Sequence, residues 1–185
     1  ACSRVIVDEK IHAEFVEKLV AATKALAIGD AKDNAIAGPV CSLKSETKIL
    51  EYIEIGKGEG KLLTGGKKVA GLNGYYIEPT IFDDVQPTAR IAQEEIFGPV
   101  LAIQTFRTDD EVIEKANNTP FGLSAGVWTD KGSKIFNMTS KLKAGVIWAN
   151  TYNKFDPVSP FGGYKESGFG REGGLHGLEG YIKVQ

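Results

Sequence analysis

The period of the apolar positions changes several times along the chain. Ser3 to Val7 is a β-branched run that reads as a short buried strand. Phe15, Leu19, Ala22 and Leu26 then recur at helical spacing beside Val16 and Val20, which predicts an amphipathic helix over 11–26 with Asp8 as its N-cap. Gly29-Asp30 ends it, and a loop runs to Gly38-Pro39. A second helix is expected from about Ser42, with Ile49, Leu50 and Ile53 facing inward and its end near Gly56 to Gly60. A strand at 61–64 leads into a Gly65-Gly66 turn. Tyr75 to Val85 is the next extended run, and Pro79 argues against a central strand over its whole length.

Pro99 to Phe106 reads as a clear strand. Thr108-Asp109-Asp110-Glu111 has the form of a capping box, opening a helix that turns Val112, Ile113 and Ala116 inward. Asn117 to Pro120 stops it. A strand at 124–129, a helix at 131–143 burying Ile135, Met138 and Leu142, and a strand at 145–150 follow. Strands alternating with helices of this length imply right-handed βαβ units. The expected fold is α/β, a mainly parallel sheet flanked by helices. At 185 residues, one domain is the first expectation.

Composition narrows the classes. Hydrophobic residues make up 42 % and charged residues 25 %, which excludes a disordered chain. A net charge of -2 argues against nucleic-acid or anionic-membrane partners. No apolar run approaches the ~20 residues that cross a bilayer, and the first residues do not resemble a signal peptide, so a reducing, cytoplasmic setting is expected. Cys2 and Cys41, with only His12 and His176, cannot build a disulfide framework or a four-ligand zinc site; no metal is expected. Each cysteine reads first as a small buried hydrophobe, each histidine as a surface residue, and Trp128 and Trp148 as core.

Eight of the 22 glycines lie between 162 and 180, among aromatics that count against a mobile linker. Gly168 to Gly173 matches G-x-G-x-x-G, but a loop precedes it and only 12 residues follow, too few for a second strand with a ribose-binding acid. That match is set aside. Glu94-Glu95-Ile96-Phe97-Gly98-Pro99-Val100 is more informative. Its bland reading is a solvated helix end running into a turn. Its functional reading is a carboxylate accepting hydrogen bonds from paired ribose hydroxyls, with the aromatic ring packed on the sugar or base.

Glu94 to Val100, Ala116 to Leu123 and Pro160 to Gly168 resemble three successive blocks of the aldehyde dehydrogenase superfamily. Gly38-Pro39, Gly65-Gly66, Gly74 to Thr80 and Trp148 to Thr151 fall in the same order, and the likeness covers essentially the whole chain. The resemblance implies a segment of that family's catalytic domain over 1–180, with 181–185 starting an oligomerisation strand. It implies that Glu95 binds the nicotinamide-ribose hydroxyls of NAD or NADP, that Phe97 packs against the nicotinamide end, and that Lys48 approaches the adenosine ribose. Ser45 stands where the family usually has a glutamine. Thr151, Phe155 and Phe161 match positions near the aldehyde substrate.

Ser3-Arg4 matches the family's pair that follows the nucleophilic cysteine, which by resemblance belongs two residues upstream of Ala1; Cys2 is then not the attacking thiol, and its placing resembles pyrroline-5-carboxylate dehydrogenases. The Tyr152 to Ser159 segment resembles betaine or general aldehyde members. In the implied reaction a thiolate adds to the aldehyde, the thiohemiacetal gives up a hydride, and water hydrolyses the thioester. The expectation is therefore part of an oxidoreductase, inactive as an isolated chain, that binds the remainder of its parent and forms homo-oligomers. A non-catalytic assembly module and a stand-alone nucleotide-binding protein are the alternatives. Open α/β sheets bind ligands beyond their strands' carboxyl ends, so Glu95 and Phe97 are expected at that edge, in one cleft with Phe161.

Overall fold

The computed structural model describes residues 2–183. The length suggests one domain, but the chain forms two compact units, Ala1–Arg107 and Thr108–Gln185.

In the first unit, β1 (Arg4–Asp8), β2 (Lys61–Thr64), β3 (Thr80–Asp83) and β4 (Val100–Phe106) form one sheet in the order β1-β4-β3-β2. β4 is parallel to both β1 and β3, and only the edge strand β2 is antiparallel. Pro79 stands just before β3, where a missing N–H costs no ladder bond. Side-chain alternation divides the core. Phe82, Val100 and Ala102 face α2 (Leu43–Glu59), whose Ile49 and Ile53 are buried against them. Ile81 and Ile103 face the other way with Val7, packing with Phe15, Val16, Leu19 and Val20 of α1 (His12–Lys24).

Helix α2 lies very close to the sheet. A side chain at Gly56 would meet the Phe82 ring at 2.7 Å, and one at Gly98 would meet Ile49 at 2.6 Å. Ser42 caps the helix by accepting from the Ser45 N–H at 3.1 Å. Glu46, buried on the same helical row, pairs with Lys68 at 2.9 Å. Asp8 does not cap α1. It is still part of β1, accepts from the Lys10 N–H at 3.0 Å, and leaves Ile11 at the N-cap without a side-chain bond.

The second unit opens on α4 (Asp109–Asn117), after the single-turn α3 (Arg90–Gln93) of the first. Thr108 caps α4 through the Glu111 N–H at 3.2 Å. β5 (Ser124–Val127) and β6 (Val146–Ala149) pair in parallel around α5 (Gly132–Lys141), and α6 (Gly174–Leu178) follows late in the chain. Trp148 is buried as expected, but Trp128 is 63 % exposed, because β5 ends at Val127 and leaves it beyond the strand. Tyr181 to Lys183 form no strand; Val184 and Gln185 of the expected 181–185 strand lie outside the described residues.

Gln104 in β4 is 2 % exposed, and neither its amide oxygen nor its nitrogen has a hydrogen-bond partner within the described chain. A buried amide without partners costs about 1–3 kcal/mol. Gln104→Met, close in volume and free of that cost, should raise the unfolding free energy by about 1 kcal/mol in urea titrations.

Candidate functional site

The Glu94 to Pro99 corner leaves α3 and enters β4. Ile96 is buried at 7 % and anchors it, and Gly98 lies flat on Ile49. Between them Phe97 takes φ +58°, a left-handed backbone unusual for an aromatic residue, and its ring is 81 % exposed. The two neighbouring glutamates differ completely. Both oxygens of Glu94 are engaged, by Arg90 Nε at 2.9 Å, Arg90 Nη2 at 3.0 Å and the Tyr52 hydroxyl at 2.5 Å. Glu95 is exposed, and its carboxylate makes no hydrogen bond among the described residues. Its backbone carbonyl accepts from Lys48 Nζ at 2.7 Å, and that ammonium also lies 5.6 Å from the centre of the Tyr52 ring.

Three residues predicted from the sequence, Lys48, Glu95 and Phe97, are therefore gathered at one place. The edge of the sheet is not the expected one. The corner precedes β4, and β1 and β3 run parallel to it, so the site lies at the amino ends of these strands. The rule for open sheets describes loops that follow strands, whereas this loop leads into one. The start of β1 lies at the same edge: Arg4 pairs with Ala102, whose N–H donates to the Ser3 carbonyl at 3.0 Å.

Tyr52 and Arg90 were not singled out in the sequence. The i,i+4 spacing of Arg90 and Glu94 was a readable signal; the Tyr52–Glu94 bond, across 42 positions, was not. Arg90's two hydrogen bonds, and then that of Tyr52, hold the Glu94 carboxyl down at about 2. The bond to Glu94 in turn raises Tyr52 above its ordinary value.

Both cysteines are exposed, contrary to the buried reading, since each stands in the chain just before an element begins. The Cys2 thiol donates to the Arg4 carbonyl at 3.1 Å. Hydrogen bonding with the hydroxyls of Ser45 and then Ser42 lowers the Cys41 thiol. His12 is half-buried rather than a surface residue, with Nε2 2.8 Å from Asp83 at the end of β3. Among the described residues no group of His, Cys, Asp and Glu could hold a metal, and no helix is long and apolar enough to cross a membrane.

In the second unit, Phe155 and Phe161 meet edge to face at 5.0 Å, Trp148 lies 5.5 Å from Phe155, and Tyr152 lies 5.0 Å from Trp148. Phe155 is 62 % exposed, Phe161 half-buried, and Thr151 starts the loop that carries these rings. The 116–123 and 160–168 blocks hold each other. Lys165 Nζ donates to the Asn117 and Thr119 carbonyls at 2.9 Å, the Tyr164 N–H to the Gly122 carbonyl at 2.9 Å, and the Gly122 N–H to Ser167 Oγ at 3.0 Å. Arg171 Nη1 reaches the Gly163 carbonyl at 2.7 Å and ties down the glycine-rich loop. No strand precedes Gly168 to Gly173, and only the five-residue α6 follows, so that loop lacks the setting of a dinucleotide fingerprint.

At the amino edge of the first unit's sheet the chain thus presents an exposed carboxylate and, two residues on, an exposed aromatic ring. The chain belongs to the aldehyde dehydrogenase family, whose model matches residues 1–185. It is 48 % identical over 186 residues to aldehyde dehydrogenase 1 of Tanacetum cinerariifolium, covering 100 % of this chain and 37 % of that protein. It is 45 % identical to betaine aldehyde dehydrogenase of Rhizobium etli, covering 99 % and 38 %. The solved 1-pyrroline-5-carboxylate dehydrogenase from Thermus with bound NAD superposes with a TM-score of 0.91 at 41 % identity, covering 95 % of this chain and 34 % of that one. The chain thus spans little more than a third of the length of these proteins.

The depressed Glu94 carboxyl makes this corner acid-sensitive. A group whose folded value lies below its unfolded one contributes stability that is present above the unfolded value and lost as pH falls towards the folded one. Here the window runs from the ordinary 4.5 down to about 2. The stability difference between the native chain and Glu94→Gln should therefore shrink as pH is lowered through that window, as measured by unfolding titrations at successive pH values.

Proposed function

We propose that these residues supply the cofactor clamp and substrate walls of an enzyme that oxidises an aldehyde to a carboxylic acid with NAD or NADP. The observation that carries this reading is the unengaged Glu95 carboxylate beside the outward Phe97 ring, at the edge where β1 also begins. A free carboxylate can accept from two vicinal hydroxyls at once, and an exposed ring can cover one face of a planar heterocycle. The residues present therefore fit the ribose and nicotinamide of such a cofactor, which when bound accepts a hydride. Glu95 fixes the sugar, Phe97 shields the ring, and both limit rotation about the bond between them. Lys48, bonded to the Glu95 carbonyl, suits the same sugar better than the adenosine ribose.

The start of β1 lies at the same edge of the sheet as the clamp, since Arg4 pairs with Ala102 of the strand the corner enters. Thr151, Phe155 and Phe161 form the aldehyde walls in this reading, supported by the exposed aromatic array that contains the two phenylalanines. Two exposed thiols suit a reducing compartment, the cytoplasm among them. Exposed Leu175, Leu178, Tyr181 and Ile182 support self-association through this segment, with 1–180 as the catalytic-domain segment and 181–185 becoming a strand only when paired with a second chain.

The purified 185-residue chain should reduce no NAD with any aldehyde. Turnover that disappears in Cys2→Ala would overturn the register. In the full-length enzyme, Glu95→Gln should slow hydride transfer or cofactor exchange by about tenfold with little change in melting temperature; unchanged kinetics would remove the ribose assignment.

A further inference from the structure

The two adjacent glutamates have the same chemistry and opposite situations, and the difference is imposed by the surroundings. Glu94 has both oxygens bound, to α3 through Arg90 and to α2 through Tyr52. Lys48, one turn before Tyr52 on α2, holds the next carbonyl, that of Glu95. Ile96 is buried, and Gly98 is pressed onto Ile49, again on α2. Only the Glu95 carboxylate and the Phe97 ring are left outside this framework.

We infer that Glu94, gripped by Arg90 and Tyr52, is a positioning residue that fixes where Glu95 and Phe97 point, and so sets how tightly the dinucleotide is held. The inference rests on the reading of Glu95 and Phe97 as the nicotinamide-ribose clamp. Its physical basis is backbone strain. A non-glycine residue held in the left-handed region is strained and persists only where its neighbours over-determine it. Position 97 is such a residue. Release of Glu94 removes one of the constraints that hold the corner, so the strained backbone at Phe97 is less firmly fixed and the directions of the Glu95 carboxylate and the Phe97 ring spread with it. Glu94 itself touches no ligand in this scheme, since both of its oxygens are engaged by Arg90 and Tyr52.

The test uses the full-length enzyme and the variants Tyr52→Phe, Glu94→Gln, their double, and Glu95→Gln. NAD+ binding is measured by calorimetry without aldehyde, and KM for NAD+ and for aldehyde by steady-state kinetics. Tyr52→Phe removes one hydroxyl and keeps the ring, so it retains the fold even if Glu94→Gln weakens it. Tyr52→Phe and Glu94→Gln should each raise the NAD+ dissociation constant by about five- to tenfold and leave the aldehyde KM unchanged. The double variant should be no worse than the poorer single one, because both changes break one network. If Glu95→Gln weakens NAD+ binding and Tyr52→Phe and Glu94→Gln do not, the positioning role is wrong and the clamp stands. If Glu95→Gln leaves NAD+ binding unchanged, the clamp reading fails and the positioning role with it.

Discussion

The close approach of α2 to the sheet is the constraint on which the first unit depends. It is possible because two positions carry no side chain: Gly56, over the Phe82 ring, and Gly98, against Ile49. Dispersion and burial both favour such contact, and a single added methyl at either point forces a shift. Once Ile49 and Ile53 are seated, helical geometry also fixes Lys48 and Tyr52, four positions apart on a neighbouring strip of the same helix. The corner before β4 is therefore held from one direction by buried apolar atoms and from another by polar ones. Packing and site geometry are here one arrangement.

The elements of this fold were readable where burial imposes a period. β4, with helices packed on both sides of its sheet, appears where the apolar run from Val100 to Ile103 predicts it, and β2 occupies the predicted 61–64. The errors have local causes. Asp8 looks like a helix cap, but its backbone is still committed to the β1–β4 ladder. Trp128 has strand-like composition, yet pairing between β5 and β6 ends one residue earlier. The cysteines read as buried because free thiols usually are, and nothing nearby in the sequence signals that each stands ahead of an element. Sequence singled out the Glu94 to Pro99 corner as a candidate site but put it at the wrong edge of the sheet, because the rule for loops that follow strands was applied to a loop that precedes one.

The second unit shows the same limit. Its two sequence blocks, at 116–123 and 160–168, are separated by a helix and two strands, yet Lys165, Tyr164 and Ser167 fasten one to the other almost entirely through backbone groups. Backbone partners leave no mark in composition. The aromatics that argued against a linker were informative, because three of them, Tyr152, Phe155 and Phe161, join Trp128 and Trp148 in one connected array.

Phe97 has a consequence for the energetics of recognition. A flexible loop that orders around its ligand loses conformational freedom at the moment of binding, and the affinity is lowered by that amount. Here the unfavourable backbone geometry is imposed when the chain folds, by contacts that contain no ligand atom. The entropy loss belongs to folding, where the burial of α2 offsets it. On the proposed reading, a cofactor at the corner meets a backbone with little freedom left to lose, and only the side chains of Glu95 and Phe97 remain to be ordered.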